Sequence, residues 1–440
     1  MKIFIKISML YFLLVLQFVA FAQQKLTYKQ TDIITYNQYL KGDWKALIKT
    51  GKTYLNYGEN FYYLQIRMGI AYYKLKKYRK AIPYLKKAFK LNKGNNLVNE
   101  YLYYAFIFSG RTMDAQKVSK YLDMKLKKKL GLDYDPAIDA ITFDIRFEDN
   151  DNYVVDSLSA GLLQQDICTD YSYFALGMEH IYGRNKRIYW NYGKIKKSKD
   201  IYDIDNNNEQ IINNRDITQN QFYFSFYSQI KYGFNLSFSV NILNIISTGT
   251  EIVPTSNWRQ PGQRELTTRY ISNEIVGFFG IHKDISNFKF GLNTSISNLD
   301  KSFQFQSGLD FTWYPLANTN LYLSIFADYK LEIKNATLQS TNIIKPAMGI
   351  KLLNIYFEPS YTLGDIINYT EKDAFIINND NDVISNRFES LIYTYLFKGK
   401  INIFFKYQQY TKTNTYRLNS FENKINYQNK TYTGGIKWNF

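Results

Sequence analysis

The last ten residues, Thr431 to Phe440, alternate apolar and polar side chains and stop on an aromatic residue. Tyr432, Ile436, Trp438 and Phe440 share one face, with Gly434 between them; Thr431, Thr433, Gly435, Lys437 and Asn439 share the other. Successive side chains of a strand point to opposite sides of the pleat, so this period of two specifies a strand with two unlike faces. Ten residues also match the roughly 9 to 11 that a tilted β-strand needs to cross a bilayer. A soluble protein ending on a half-buried edge strand would alternate in the same way, and the rest of the chain has to separate the two.

The alternation recurs. From Gln221 to Tyr232, Phe222, Phe224, Phe226, Ile230 and Tyr232 fall on one face, and Gln221, Tyr223, Ser225, Tyr227, Gln229 and Lys231 on the other. Phe234 to Ile242 repeats the pattern with Asn235, Ser237, Ser239 and Asn241 on the polar face, as do Phe288 to Ile296, Phe303 to Trp313, Leu321 to Ile333, Ile355 to Leu363 and Ile401 to Tyr407. The solvent face of a soluble sandwich would carry more charge than these Ser, Asn, Gln and Tyr residues. With 41 Tyr, 32 Phe and only 7 Pro the chain is rich in strand formers. Past the amino terminus it has no run of about 20 apolar residues that would make a membrane helix.

Connections between these segments alternate in length. Tight turns are expected at 183–185, 232–233, 284–287, 316–320, 353–354 and 398–400, and longer connections near 149–170, 198–218, 247–267, 334–341, 367–383 and 412–428, with Asn298 to Lys301 a short exception. In this the chain resembles bacterial outer-membrane β-barrels, which have brief periplasmic turns and longer external loops, and whose closing strand commonly ends in a carboxy-terminal Phe read by the barrel-assembly machinery. The resemblance implies that Tyr432, Ile436, Trp438 and Phe440 carry that assembly signal, that Trp313, Tyr314, Trp438 and Phe440 lie at the periplasmic aromatic girdle, and that outer-membrane lipid surrounds the barrel. It also turns Tyr223, Tyr227, Tyr322, Phe326 and Tyr356 into the lumen, which they would narrow or plug. Counting from Ile138 gives about fourteen antiparallel strands, or twelve if the irregular stretches 138–148 and 171–195 do not contribute. An even count puts both ends of the barrel segment on the periplasmic side.

Residues 1–22 read as a secretory signal peptide, with Lys2 and Lys6 before an apolar run and Ala20-Phe21-Ala22 at the cleavage spacing. Between 23 and 136 the period becomes helical and repeats every 34 residues: Thr35, Gly69 and Tyr103 align, as do Gln38, Tyr72 and Phe106, then Trp44, Tyr78 and Thr112, then Leu47, Ala81 and Ala115. Gly42 and Gly110 fall at turns, where the middle copy has Lys76. The period and the small residues resemble tetratricopeptide repeats, helix-turn-helix units that stack into a solenoid. The expected fold is therefore a short α-solenoid of this kind followed by an antiparallel outer-membrane β-barrel over 137–440. The architecture resembles repeat-bearing outer-membrane barrels of Gram-negative envelopes, and the Asn, Lys, Ile and Tyr richness suits a Bacteroidota-like source.

Charge is segregated. The helical segment holds 23 Lys and Arg against 8 Asp and Glu, a net of +15, and the segment 137–440 sums to zero. Lys76, Lys77, Lys80, Lys86, Lys87 and Lys90, with Lys127, Lys128 and Lys129, form the dense part of this basic face. It reads either as a solvated helix surface or as a patch for an acidic periplasmic protein or anionic lipid. It carries no nucleic-acid fold signature and belongs to an exported protein.

Little else carries chemistry. His180 and His282 are the only histidines and lack a zinc spacing; a strand histidine at a polar interface is the plain reading, a Ser/His lipid-hydrolase arrangement the alternative. Asp203, Asp205, Asn207 and Glu209 alternate like the start of a calcium loop but lack the central Gly and distal Glu, and the Asp/Asn clusters at 148–152 and 378–382 read as loop tips. The single cysteine, Cys168, has no intramolecular partner. No cofactor or metal is expected. The functions left are a pore for export or uptake and a non-conducting anchor for an envelope complex, with a barrel enzyme acting on lipid a distant third.

Overall fold

The computed structural model describes residues 26–132, 137–150, 162–183, 185–204, 210–230, 233–254, 263–379, 382–418 and 421–440. The segment 1–22 read above as a signal peptide, Asp205 to Glu209 and parts of the two Asp/Asn clusters lie outside them. The chain divides into two compact units, up to Ala105 and from Phe106.

The first unit is helical: α1 (Tyr28–Leu40), α2 (Trp44–Asn56), α3 (Tyr62–Lys74), α4 (Tyr78–Leu91) and most of α5 (Asn96–Phe108). Starts at Tyr28, Tyr62 and Asn96, and at Trp44, Tyr78 and, in the second unit, Thr112 (α6, Thr112–Ser119), recur every 34 residues. Thr27 and Gln30 close a reciprocal capping box at the start of α1, and Asp43 accepts from the Ala46 amide at the start of α2, supplying acceptors for otherwise orphaned amides. The interhelix turns need a left-handed residue, found at Gly42 (φ 71°), Lys76 (φ 58°) and Gly110 (φ 76°). Gly69 lies against Leu85, where an added Cβ would sit 2.6 Å from the leucine, so the α3 and α4 backbones approach closely. Leu47, Leu64, Met68, Ala81 and Leu85 form the buried core. Arg67 ties α3 to α1, donating to Asp32 Oδ1 at 2.7 Å and Thr35 Oγ1 at 3.0 Å.

The second unit begins with the end of α5, then α6 and α7 (Met124–Leu130), and continues into strands. These are β1 (Ala140–Asn150), β2 (Leu162–Tyr182), β3 (Lys186–Ile204), β4 (Gln210–Gln229), β5 (Phe234–Pro254), β6 (Gln263–Ile285), β7 (Phe288–Ser297) and β8 (Phe303–Trp313). They continue as β9 (Leu321–Lys334), β10 (Thr337–Leu352), β11 (Ile355–Ile366), β12 (Tyr369–Glu371), β13 (Ile376–Asn378), β14 (Val383–Leu396), β15 (Ile401–Leu418) and β16 (Phe421–Asn439). All except β12 and β13 form one closed antiparallel barrel of fourteen strands. Closure runs from Ala140 opposite Asn439 to Asn150 opposite Asn429, so the barrel's first and last strands begin and end at the same rim, that of the tight turns. At this rim Lys117 on α6 donates to the Gln229 carbonyl at 3.1 Å, and Gly110 lies against Thr319.

The barrel inverts the usual distribution of polarity. Phe222, Phe238, Ile242, Ile275, Phe279 and Leu292 are exposed on the outside, whereas Gln221, Ser225, Ser239 and Asn241 are buried inside. A closed barrel has no unpaired strand edge, and this apolar exterior is suited to lipid rather than water. Tyr432, Ile436, Trp438 and Phe440 all face outward and are exposed.

Two expectations need correction. Most of the stretches taken as long connections are strand: β3 runs to Ile204, β5 to Pro254, β15 to Leu418, and only Asn335 and Ala336 separate β9 from β10. These extensions carry polar residues on both faces, so the alternation that marks the rest of each strand disappears there. Tyr314 is not part of an outer girdle with Trp313. Adjacent residues face opposite ways, and while Trp313 is exposed outward, Tyr314 packs inside with its ring 5.8 Å from Tyr322.

Candidate functional site in the barrel lumen

The two short strands β12 and β13 pair only with each other, Tyr369 opposite Asn378 and Glu371 opposite Ile376, as a hairpin folded into the barrel. Its entry is written in the wall. The β11–β14 register shifts between Leu363 and Ile366, and Gly364 there has φ 112° with its Cβ position against the Asn342 backbone, so only glycine fits this bend. At the tip, Lys372, Asp373 and Ala374 are successively left-handed (φ 51°, 58° and 61°), a conformation that L side chains disfavour and that surrounding contacts must hold.

Those contacts come from the far wall. Tyr223 donates its hydroxyl to the Asp373 carbonyl at 3.1 Å, Tyr227 donates to Asp373 Oδ2 at 2.7 Å, Ser239 also donates to the Asp373 carbonyl, and Asn241 donates to the Ala374 carbonyl at 2.9 Å. Ala374 packs with Leu243, Val276, Phe278 and Leu299, and Phe375 sets its ring 5.1 Å from that of Tyr223. The arms are tied as firmly. Thr370 exchanges hydrogen bonds with Gln306 and lies 2.9 Å from the Ser295 hydroxyl, and Tyr369 donates to Asp328 at 2.5 Å. The hairpin thus crosses the lumen from the β10–β14 wall to β4 and β5.

An ion cluster latches its base. Glu371 accepts from Arg387 at 2.7 Å, Lys345 at 3.2 Å and Asn378 at 3.0 Å, and Lys345 also reaches Glu389 at 3.6 Å. Arg387 is 1% exposed. Lys330 donates to the Ile367 carbonyl at 2.5 Å and pairs with Glu332 at 2.8 Å.

Among the described residues the lumen holds a cavity beside the hairpin and another nearer the tight-turn rim. One, of about 420 Å³, borders β1–β4, β11 and β14–β16, with Arg146, Lys372, Phe375, Tyr393, Phe404 and Lys406 in its lining. The other, of about 250 Å³, is lined by Tyr314, Tyr322, Phe326, Tyr356 and Tyr393. Tyr356 stacks on Tyr393 at 4.7 Å, and Glu358 accepts from Tyr393 at 2.8 Å and from Tyr322.

All five tyrosine and phenylalanine residues singled out as lumen-facing lie on this inner wall, two of them as anchors of the hairpin tip. Sequence reasoning did not single out the hairpin or its latch, although Gly364 in an alternating strand was a signal for a bend. Of the basic helical residues, Lys76, Lys77, Lys80, Lys86, Lys87, Lys90, Lys128 and Lys129 are exposed, and Lys127, half-buried, donates to the Lys120 carbonyl at 2.9 Å. His180 accepts from the Trp190 indole at 3.1 Å and lies 2.6 Å from the Ala137 carbonyl; His282 lies 3.1 Å from Asp310. Among the described residues neither imidazole meets a hydroxyl, and no group of three or more His, Cys, Asp or Glu could hold a metal ion.

No protein-family model matches the chain, and no curated protein matches it. Among solved structures the chain is similar to a Pseudomonas aeruginosa FadL homologue (9% identity over 69% of this chain and 90% of that one, TM-score 0.41). It is also similar to the P. putida toluene transporter TodX (7%, 69% and 91%, TM-score 0.43) and to the translocator domain of autotransporter NalP from Neisseria meningitidis (10%, 76% and 100%, TM-score 0.32).

Proposed function

We propose that this protein is an outer-membrane transport barrel, for uptake or export of a small solute, closed at rest by the luminal hairpin and carrying a periplasmic tetratricopeptide-like interaction domain. The observation that carries the reading is a hairpin held across the lumen largely by polar side chains, with small apolar clusters around Ala374 and Tyr369, beside a cavity large enough for a small ligand. Polar anchors can exchange to water, so the hairpin can undock without melting the wall. The 34-residue helix spacing and the left-handed turn residues support the repeat assignment, and the +15 charge supports an acidic protein or anionic lipid as its partner.

Planar-bilayer recording tests this. The full-length protein should be mostly closed, and replacing residues 368–379 with a Gly-Ser linker should give steady openings. If that variant assembles as a heat-modifiable barrel and stays silent, the alternative holds: a non-conducting anchor for an envelope complex, which the density of hairpin contacts would then serve.

A further inference from the structure

The 420 Å³ cavity has two unlike ends. Toward the tight-turn rim its wall is aromatic: Tyr395 stands opposite Asn402 and Tyr393 opposite Phe404. Gly435, across from Phe404, makes this possible, since a Cβ there would collide with the Phe404 ring and with Asp144. One step deeper the wall turns basic, with Lys406 opposite Leu391 and Arg146 beside Thr433.

The charges at that step do not cancel. Arg146 donates from Nε to Thr433 at 3.2 Å and from Nη1 to Tyr171 at 3.4 Å, both neutral hydroxyls, and its guanidinium lies 5.2 Å over the Tyr173 ring. Its Nη2 has no hydrogen-bond partner among the described residues. Among the described residues Lys406 has one carboxylate within ion-pair distance, Glu389 at 4.0 Å, which Lys345 and Gln408 already share. Lys372 is exposed at the hairpin tip. The lining holds five cations, Arg146, Lys197, Lys372, Lys406 and Lys412, against three acids: Asp144, Glu148, which Lys412 engages at 3.1 Å, and Glu358, which accepts from two phenols that leave its charge in place. A surplus of cations in a partly enclosed site is stabilised by an anion, and the aromatic wall beside it suits an apolar body.

We propose that this cavity binds a small organic anion, a carboxylate carried on an aromatic or other apolar body, with the carboxylate between Arg146 and Lys406 and the body against Leu391, Tyr393 and Phe404. The inference rests on the transport reading for its purpose, since such an anion would be the solute carried, but not for its test.

Full-length protein in detergent micelles is titrated calorimetrically with 4-phenylbutyrate and with three matched probes: 4-phenylbutanamide, 4-phenylbutylamine and butyrate. The acid should bind at least about tenfold more tightly than any of the three, because a charge-assisted hydrogen bond and ring burial are each worth that much. Arg146→Gln should weaken the acid about tenfold while leaving the amide unchanged. Should Arg146→Gln fail to assemble, Lys372→Gln on the exposed tip should weaken the acid in the same direction. Equal binding of acid and amide, or no binding of any probe, overturns the proposal. A barrel that binds the acid but never conducts keeps this site and removes the transport reading; one that conducts without telling acid from amide does the reverse.

Discussion

Neutralising Glu371 should open the barrel. Its carboxylate takes hydrogen bonds from Arg387, Lys345 and Asn378, and Arg387, 1% exposed, has among the described residues otherwise only the Thr362 hydroxyl at 3.4 Å as a hydrogen-bond acceptor. Removing one partner of a buried ion pair costs about 3–5 kcal/mol, because the other charge stays desolvated. The amide oxygen of Glu371→Gln still accepts, recovering about 1 kcal/mol. The net of roughly 2–4 kcal/mol falls on the docked state, since undocking lets water reach Arg387. At 1.4 kcal/mol per decade, the undocked hairpin becomes roughly 30- to 1,000-fold more populated. Single-channel recording reads this as open probability, and limited proteolysis of the hairpin in membrane vesicles reads it independently. Glu371→Leu combined with Arg387→Leu removes both charges and should return toward wild-type closure. A Glu371→Gln barrel that assembles normally with unchanged open probability and unchanged protease resistance would refute the latch.

Tyr223→Ala and Tyr227→Ala each remove a hydrogen bond to Asp373, Tyr227 to its carboxylate; bilayer recordings should show wider or more frequent openings, by about 1–3 kcal/mol in the closing equilibrium for Tyr227. Phe440→Asp, or deletion of β16, should lower the surface-assembled fraction, read by heat-modifiable migration and protease protection, and unchanged assembly of the deletion would contradict the barrel account. Charge reversal at Lys86 and Lys87, or at Lys127 and Lys128, tests the basic face. Pull-down of envelope extract by the full-length protein should weaken with salt as the Debye length falls from about 10 Å at 0.1 M to 3 Å at 1 M. A protein partner predicts losses concentrated on one helix face, and lipid predicts similar losses at both pairs.

The wall of the barrel was readable because each membrane-crossing strand must present lipid with alternate residues, which leaves a periodic trace at Phe222, Phe224 and Phe226 or at Ile436, Trp438 and Phe440. The helical spacing was readable because Gly42, Lys76 and Gly110 mark equivalent turns. What the sequence concealed was short or non-local. A three-residue strand such as Tyr369–Glu371 has no measurable period, and its neighbours Asn368 and Lys372 look like loop residues. Glu371 meets Lys345 only because the barrel closes and the hairpin turns inward. The inward set that includes Tyr223 and Tyr227 was within reach of alternation alone, yet nothing local indicates that Asp373 is what they bond.

The central claim is that the hairpin closes a transmembrane passage, and a reversible lock tests it most directly. The Ser295 and Thr370 hydroxyls lie 2.9 Å apart across the gap between wall and hairpin. With Cys168 replaced by Ser, cysteines at 295 and 370 can form a disulfide that fixes the docked state. In the Glu371→Gln background, the account predicts a silent barrel when oxidised and frequent openings after reduction in the same bilayer. Openings of equal frequency with the disulfide formed would contradict it.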